Sequence, residues 1–266
     1  MTSHLLHQIA SHQAALQHLD PTTEPLAYAQ IQYELGNLYT DLAQIEAPTV
    51  NLGLARDAYE AALAHCPPEL SLVDYVLIQN SLGNLHIMLS EIEARLENLQ
   101  KAVHAFEAAL QHINSQTSGG VYAAAQINRG HIYTLLAEVQ DHEHYLNLAL
   151  TAYDQALLYC QPGQVAYATL QFGLGNVCRQ LTQDRPQNLQ RALTAYHEAL
   201  QIYTPLDAPL PYAMTQGNLG LVYHALHDLP AAITCWKEAA GILMSFGAKD
   251  EALVYLQHIA AAESGR

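Results

Sequence analysis

The sequence predicts an all-α fold, a right-handed superhelical solenoid of antiparallel helix pairs with about twelve helices. Three observations predict it: one helical phrase recurs five times, a second follows each copy, and turn residues fall between them. The first phrase reads YAQIQYELGNLY, YVLIQNSLGNLH, YAAAQINRGHIY, YATLQFGLGNVC and YAMTQGNLGLVY. Its glycines, Gly36, Gly83, Gly130, Gly175 and Gly220, are 47, 47, 45 and 45 residues apart. Eight residues before each glycine stands a tyrosine (Tyr28, Tyr75, Tyr122, Tyr167, Tyr212), and four before it a glutamine (Gln32, Gln79, Gln126, Gln171, Gln216). The second phrase, as in ARDAYEAAL and ALTAYHEAL, sets an alanine, an aromatic four later and an alanine three after that. Such spacing is one helical face, where small residues admit a neighbouring helix and the aromatic fills the gap between backbones.

The elements follow in order. Residues 1–20 carry His4, Leu5, Ala15 and Leu16 in the register of Asn98, Leu99, Ala109 and Leu110, and so form an opening half-repeat. Full repeats occupy 26–68, 73–115, 120–161, 165–204 and 210–245, with a closing cap helix at 249–262. The whole chain, 1–266, reads as a single domain because stacked pairs share one continuous core. Turns are marked by Pro21 and Pro25, Pro67-Pro68, Gly119-Gly120, Pro162-Gly163, and Pro205, Pro209 and Pro211. From glycine to second-phrase aromatic the distances are 23, 23, 23, 21 and 16 residues, so four copies carry an insertion in longer helices or longer loops. The segment Asp141-His142-Glu143-His144 reads as a solvated acidic loop within one insertion.

These phrases resemble the tetratricopeptide repeat (TPR) family, whose L-G-x-x-Y and A-x-x-x-F motifs reappear as Leu35, Gly36, Tyr39, Ala55 and Tyr59. The period is longer than that family's usual 34 or so residues, and glutamine stands where tryptophan is common. The extended form is similar to kinesin light chain and to bacterial tandem arrays with Y-A-x-x-Q-x-x-L-G-N phrases. The resemblance implies a concave groove lined by the first helix of each repeat, and a non-enzymatic protein-interaction function.

Composition narrows the function further. The chain has 10 Lys+Arg against 25 Asp+Glu, a formal net charge of -15, which disfavours nucleic acid as a partner. No run of 18 apolar residues suits membrane insertion, and no export signal is visible, so a cytoplasmic location is expected. Cys66, Cys160, Cys178 and Cys235 are scattered, and their slots in other repeats hold apolar or aromatic residues, which makes them packing residues. His4, His7 and His12 do not converge on one helix face as metal ligands would. No phosphate-binding glycine loop occurs. No catalytic residue, metal or cofactor is expected.

Candidate binding residues come from the first-helix face turned away from Leu35 and Tyr39. The row Gln30, Tyr33, Asn37, Thr40 has equivalents in each repeat, and these rows are neutral and amide-rich. They nominate Tyr33, Asn37, Asn80, Asn84, Ile127, His131, Phe172, Asn176 and Arg179, with Asn128 and Asn218 two residues before their glycines, as a peptide-binding groove. An asparagine offers a donor and an acceptor to any peptide backbone, though the same amides would equally satisfy neighbouring helix ends. Tyr33, Ile127 and Phe172 are the apolar anchors in this reading. The expected partner is a peptide segment or helix of another protein. The alternatives are a self-assembling scaffold, a homo-oligomer joined through an apolar face near Trp236 to Phe246, and a peptide-sensing regulatory subunit. The recurring glutamines and tyrosines read as architecture, with the tyrosine hydroxyls reaching solvent.

Overall fold

A computed structural model describes residues 2–113 and 119–264. Among these residues there are twelve helices and no strand. They fall into two compact units, Met1–Gln140 and Asp141–Arg266. The first holds α1 (Thr2–Leu16), α2 (Pro25–Ala43), α3 (Pro48–His65), α4 (Leu72–Ser90), α5 (Arg95–His112) and α6 (Gly119–Ala137). The second holds α7 (His142–Leu157), α8 (Val165–Gln180), α9 (Arg185–Leu200), α10 (Pro209–Ala225), α11 (Leu229–Ser245) and α12 (Lys249–Glu263). Within each unit, α2 packs on α3, α4 on α5, α8 on α9 and α10 on α11, so four of the full repeats are each one helix pair.

The two phrases meet at the centre of each pair. Tyr59 lies flat on Gly36, and a β-carbon at position 36 would strike its ring. Gly175 stands in the same relation to Tyr196, where that β-carbon would come within 2.5 Å of the ring. Only a residue without a side chain lets the two helices approach so closely. Ala55 and Ala62 flank Tyr59 with no exposed surface, and Ala192 and Ala199 do the same for Tyr196. Proline at the first or second position opens α2, α3, α9, α10 and α11, where its missing N–H costs nothing.

The insertions lengthen helices. In the first full repeat α2 runs seven residues past Gly36 and α3 begins eleven before Tyr59; in the last, α10 runs five past Gly220 and α11 begins seven before Trp236. Six of the seven additional residues are therefore helical. The segment expected as an acidic loop at Asp141–His144 is corrected in the same way, since α7 starts at His142. Glu143, in its first turn, accepts bonds from Thr182 Oγ1 at 3.0 Å and from the Thr182 amide at 3.3 Å, which order it.

Each longer pair turns through a left-handed residue just before its second helix: Ala47, Ala94, Asp141 and Asp184, at φ 46°, 45°, 35° and 46°. In three of these turns an asparagine in the first turn of the following helix holds the loop. Asn51 Nδ2 donates to the Glu46 carbonyl at 2.7 Å, Asn98 to Glu93 at 2.9 Å and Asn188 to Gln183 at 2.7 Å. Asn98 also accepts, through Oδ1, from Nδ1 of buried His86 at 3.1 Å. Burial lowers the His86 pKa below its ordinary value near 6.5, against the opposing bond to Asn98.

Two outcomes follow for stability. Ala94 is exposed but left-handed, so Ala94→Gly is expected to raise unfolding free energy by about 0.5–1 kcal/mol in urea titration; a loss of that size would contradict the turn. The unfolded chain protonates His86 near pH 6.5 while the folded chain resists until lower pH, so the stabilisation is complete above that value and fades as pH falls through it. Between pH 7.5 and 5.5 this group should cost up to about 1.4 kcal/mol per pH unit. Replacing it by the tyrosine found in the same slot at positions 39, 133 and 223 should flatten the profile, and an unchanged slope for His86→Tyr would remove His86 as the cause.

Candidate functional site

In the first unit the two leading helices of adjacent repeats, α2 and α4, lie side by side, and their shared face holds the clearest candidate. The buried Tyr59 hydroxyl donates to Asn37 Oδ1 at 2.7 Å. Desolvation pushes its pKa up to about 12, so the phenol keeps its proton. That bond fixes the Asn37 amide oxygen on Tyr59 and leaves its NH2 group, which bonds nothing among the described residues, as an available donor. In the next repeat the aromatic is Phe106, which has no hydroxyl, and Asn84 stays exposed with neither amide atom engaged. Thr40 donates to the Gly36 carbonyl at 2.8 Å.

Two recesses open on this face. One, bordered by Asn37, Thr40, Asp41, Ser81, Asn84 and Met88 with Tyr59 and Leu85, mixes polar and apolar walls and is the more polar and more open of the two. The other is narrower and largely apolar, walled by Leu26, Ala29, Cys66, Leu77 and Ile78, with Tyr33 and Asp74 also lining it. Tyr33 joins the two: its hydroxyl accepts from Ser81 Oγ at 3.5 Å, and its ring lies 5.9 Å from that of Tyr59. Leu26, Asp41, Cys66, Asp74 and Ser81 fall outside the sequence-derived row, because a groove between two helices takes side chains from the flanks of both.

The second unit uses the same asparagine differently. Asn176 Oδ1 accepts from the Tyr196 hydroxyl at 2.7 Å and from Asn218 Nδ2 at 2.9 Å, so both its lone pairs are taken. At Gly217 the cap helix α12 lays the Tyr255 ring where a side chain would otherwise stand. Arg179, half-buried, bears electrostatically on both Tyr196 and Tyr255. Asn176 and Arg179 of the fourth repeat and Gly217 of the last are therefore engaged by the chain itself.

The remaining candidates divide. Ile127 is 8% exposed and so, contrary to expectation, is a core residue and not an open anchor. Phe172 turns towards a core cluster with Ala168, Ala199 and Tyr203, its ring 6.2 Å from Tyr196. Asn80 and Asn128 are half-buried, and His131 is exposed on α6; none of these borders either recess. The apolar face expected from Trp236 to Phe246 is corrected at one end: Trp236 is 1% exposed, stacked on His258 at 5.1 Å, and donates to the Gly217 carbonyl, whereas Met244 and Phe246 are exposed. The recurring Gln and Tyr bond each other within one helix, Gln32 to Tyr28 at 2.9 Å, Gln79 to Tyr75 at 3.1 Å, Gln126 to Tyr122 at 2.8 Å and Gln216 to Tyr212 at 2.9 Å. Those hydroxyls are acceptors for glutamine and not merely solvated. Among the described residues no three His, Cys, Asp or Glu gather as metal ligands. Burial raises the pKa of all four thiols, those of Cys178 and Cys235 to about 11, so none is poised as a nucleophile.

Similarity to solved structures bears on the fold. BtubC (BKLC) from P. vanneervenii aligns over 91% of this chain and 92% of its own, at TM-score 0.65 and 20% identity. The fold is of the tetratricopeptide-repeat type. Weaker similarity is found to MamA (81% of this chain, 95% of the other, TM-score 0.48, 17% identity) and to YrrB, described as a TPR protein with an unusual peptide-binding site (80% and 91%, TM-score 0.41, 18% identity). No family model matches the sequence, and no curated protein matches it. No described helix is long and apolar enough to cross a membrane.

The two kinds of asparagine separate by stability. Asn176→Ala strands the buried Tyr196 hydroxyl and should cost about 1–3 kcal/mol, whereas Asn84→Ala should stay within about 0.5 kcal/mol. Equal losses in thermal or urea unfolding would contradict the division.

Proposed function

We propose that the protein is a non-enzymatic interaction module that holds a peptide segment of a partner protein on the α2–α4 face. One observation carries this reading: on an open surface the Asn37 NH2 group and the Asn84 amide, neither bonded among the described residues, border one recess, and a largely apolar recess lies next to it. Amide donors serve any peptide backbone and an apolar pocket supplies the anchor, which is the usual division of labour in peptide recognition. A TPR-type fold supports the class of function, and the residues argue the place. Asn37, Asn84 and Tyr33 are the binding residues of this reading, while Asn176, Asn218, Arg179 and Phe172 serve the architecture of the second unit. A self-assembling scaffold is the second reading, favoured by exposed Phe246, Leu253, Val254 and Leu256 at and near α12.

Selection of random displayed 12-residue peptides against the wild type and Asn84→Arg tests the first reading. The substitution fills the open recess at an exposed helical site. Peptides enriched by the wild type should bind the variant at least about tenfold more weakly. Identical enrichment by both proteins would remove the face from consideration, and a mass that rises with concentration in light scattering would favour the scaffold.

A further inference from the structure

The α2–α4 face also carries a charge pattern that specifies its ligand. Each of its two recesses is bordered by one carboxylate, Asp74 at the apolar recess and Asp41 at the more polar one, and neither is lined by Lys, Arg or His. Both aspartates are exposed. The Asp74 carboxylate accepts one bond from the Ser71 hydroxyl, at 2.7 Å, and Asp41 has no ion pair. Three of the four Lys and Arg residues of this unit pair with other carboxylates, Arg56 with Asp57, Arg95 with Glu138 and Lys101 with Glu97, and the fourth, Arg129, borders neither recess. The face is thus an apolar slot with an uncompensated negative charge beside it, on a chain of net charge -15.

Resting on the function proposed above, we infer that the ligand is an extended peptide bearing a lysine or arginine, whose aliphatic stem lies across the mouth of the Leu26–Leu77 recess, which itself has room for about one water-sized group, while its cationic head meets Asp74. Long basic side chains bury their methylenes and keep the charge at the rim, which matches a slot whose walls are aliphatic and whose edge is a carboxylate. The extended form follows from the amides. Asn37 offers N–H donors, and these need free main-chain carbonyls, which a helix interior has already used. Gln30 beside the slot and Asn37 beside the second recess are seven residues apart on α2, about 10 Å along the axis. That distance is roughly three residues of extended chain. The basic residue and the bonded carbonyl therefore sit about three positions apart, and Asp41 favours a second basic residue beyond them.

The test uses three pools of acetylated eight-residue peptides, identical except for one fixed central residue: lysine, its uncharged isostere norleucine, or glutamate. Retention on the immobilised full-length protein is compared with retention on Asp74→Asn, a change that keeps side-chain size and the Ser71 contact, with helicity checked by circular dichroism. The lysine pool should be retained about fivefold over norleucine, with glutamate lowest, and the lysine preference should vanish in Asp74→Asn. Persistence of that preference in the variant would assign it to the general acidity of the chain and overturn the inference. Equal retention of lysine and norleucine by the wild type would overturn it too. Pools retained without regard to charge yet lost in Asn84→Arg would leave the peptide-binding reading standing alone; no retention of any pool would overturn both.

Discussion

The contact on which the rest depends is an aromatic ring laid on a glycine backbone at the heart of four helix pairs. Tyr59 on Gly36 and Tyr196 on Gly175 leave no room for a β-carbon, and this fixes how far apart the two helices sit and which faces remain. Alanines with no exposed surface on either side of the ring close the interface. A pair built this way buries only one stripe of each helix, so neighbouring pairs must supply the rest of the core. Buried clusters that join Tyr59 and Ala62 to Ile78 and Leu85 of α4, or Ala199 and Tyr203 to the half-buried Tyr212 of α10, are that supply.

The same ring decides what the asparagine after the glycine does. A tyrosine carries its hydroxyl through the pair to the far face, where a buried donor needs an acceptor, and Asn37 and Asn176 provide it. Where the ring is Phe106, Asn84 has no such duty. One slot in the repeat therefore holds both architectural and unengaged amides. In the first unit the combination yields a donor with fixed orientation beside a free amide. In the second, Asn218 and the Tyr255 ring of α12 complete the packing.

The longer repeats are built at their tips. Left-handed residues before α3, α5, α7 and α9 reverse the chain in four-residue links or thereabouts, and asparagine latches hold three of them. At Asn98 the latch extends to His86, so a turn and a helix interior share one polar network.

The sequence alone determined the all-helical class, the number of helix pairs and the contact of Gly36 with its aromatic, because these depend on spacing along one chain and repeat five times. The split between Asn37 and Asn84 was also legible, in the choice of Tyr59 or Phe106. Tertiary structure alone decided that Ile127 is core, that Trp236 lies beneath α12 and that Tyr255 takes the place left at Gly217, since burial depends on what the next helix brings. It also decided that Leu26, Cys66 and Asp74 share one recess. They lie on different elements, and periodicity within a helix contains no information about which side chains of its neighbour stand opposite.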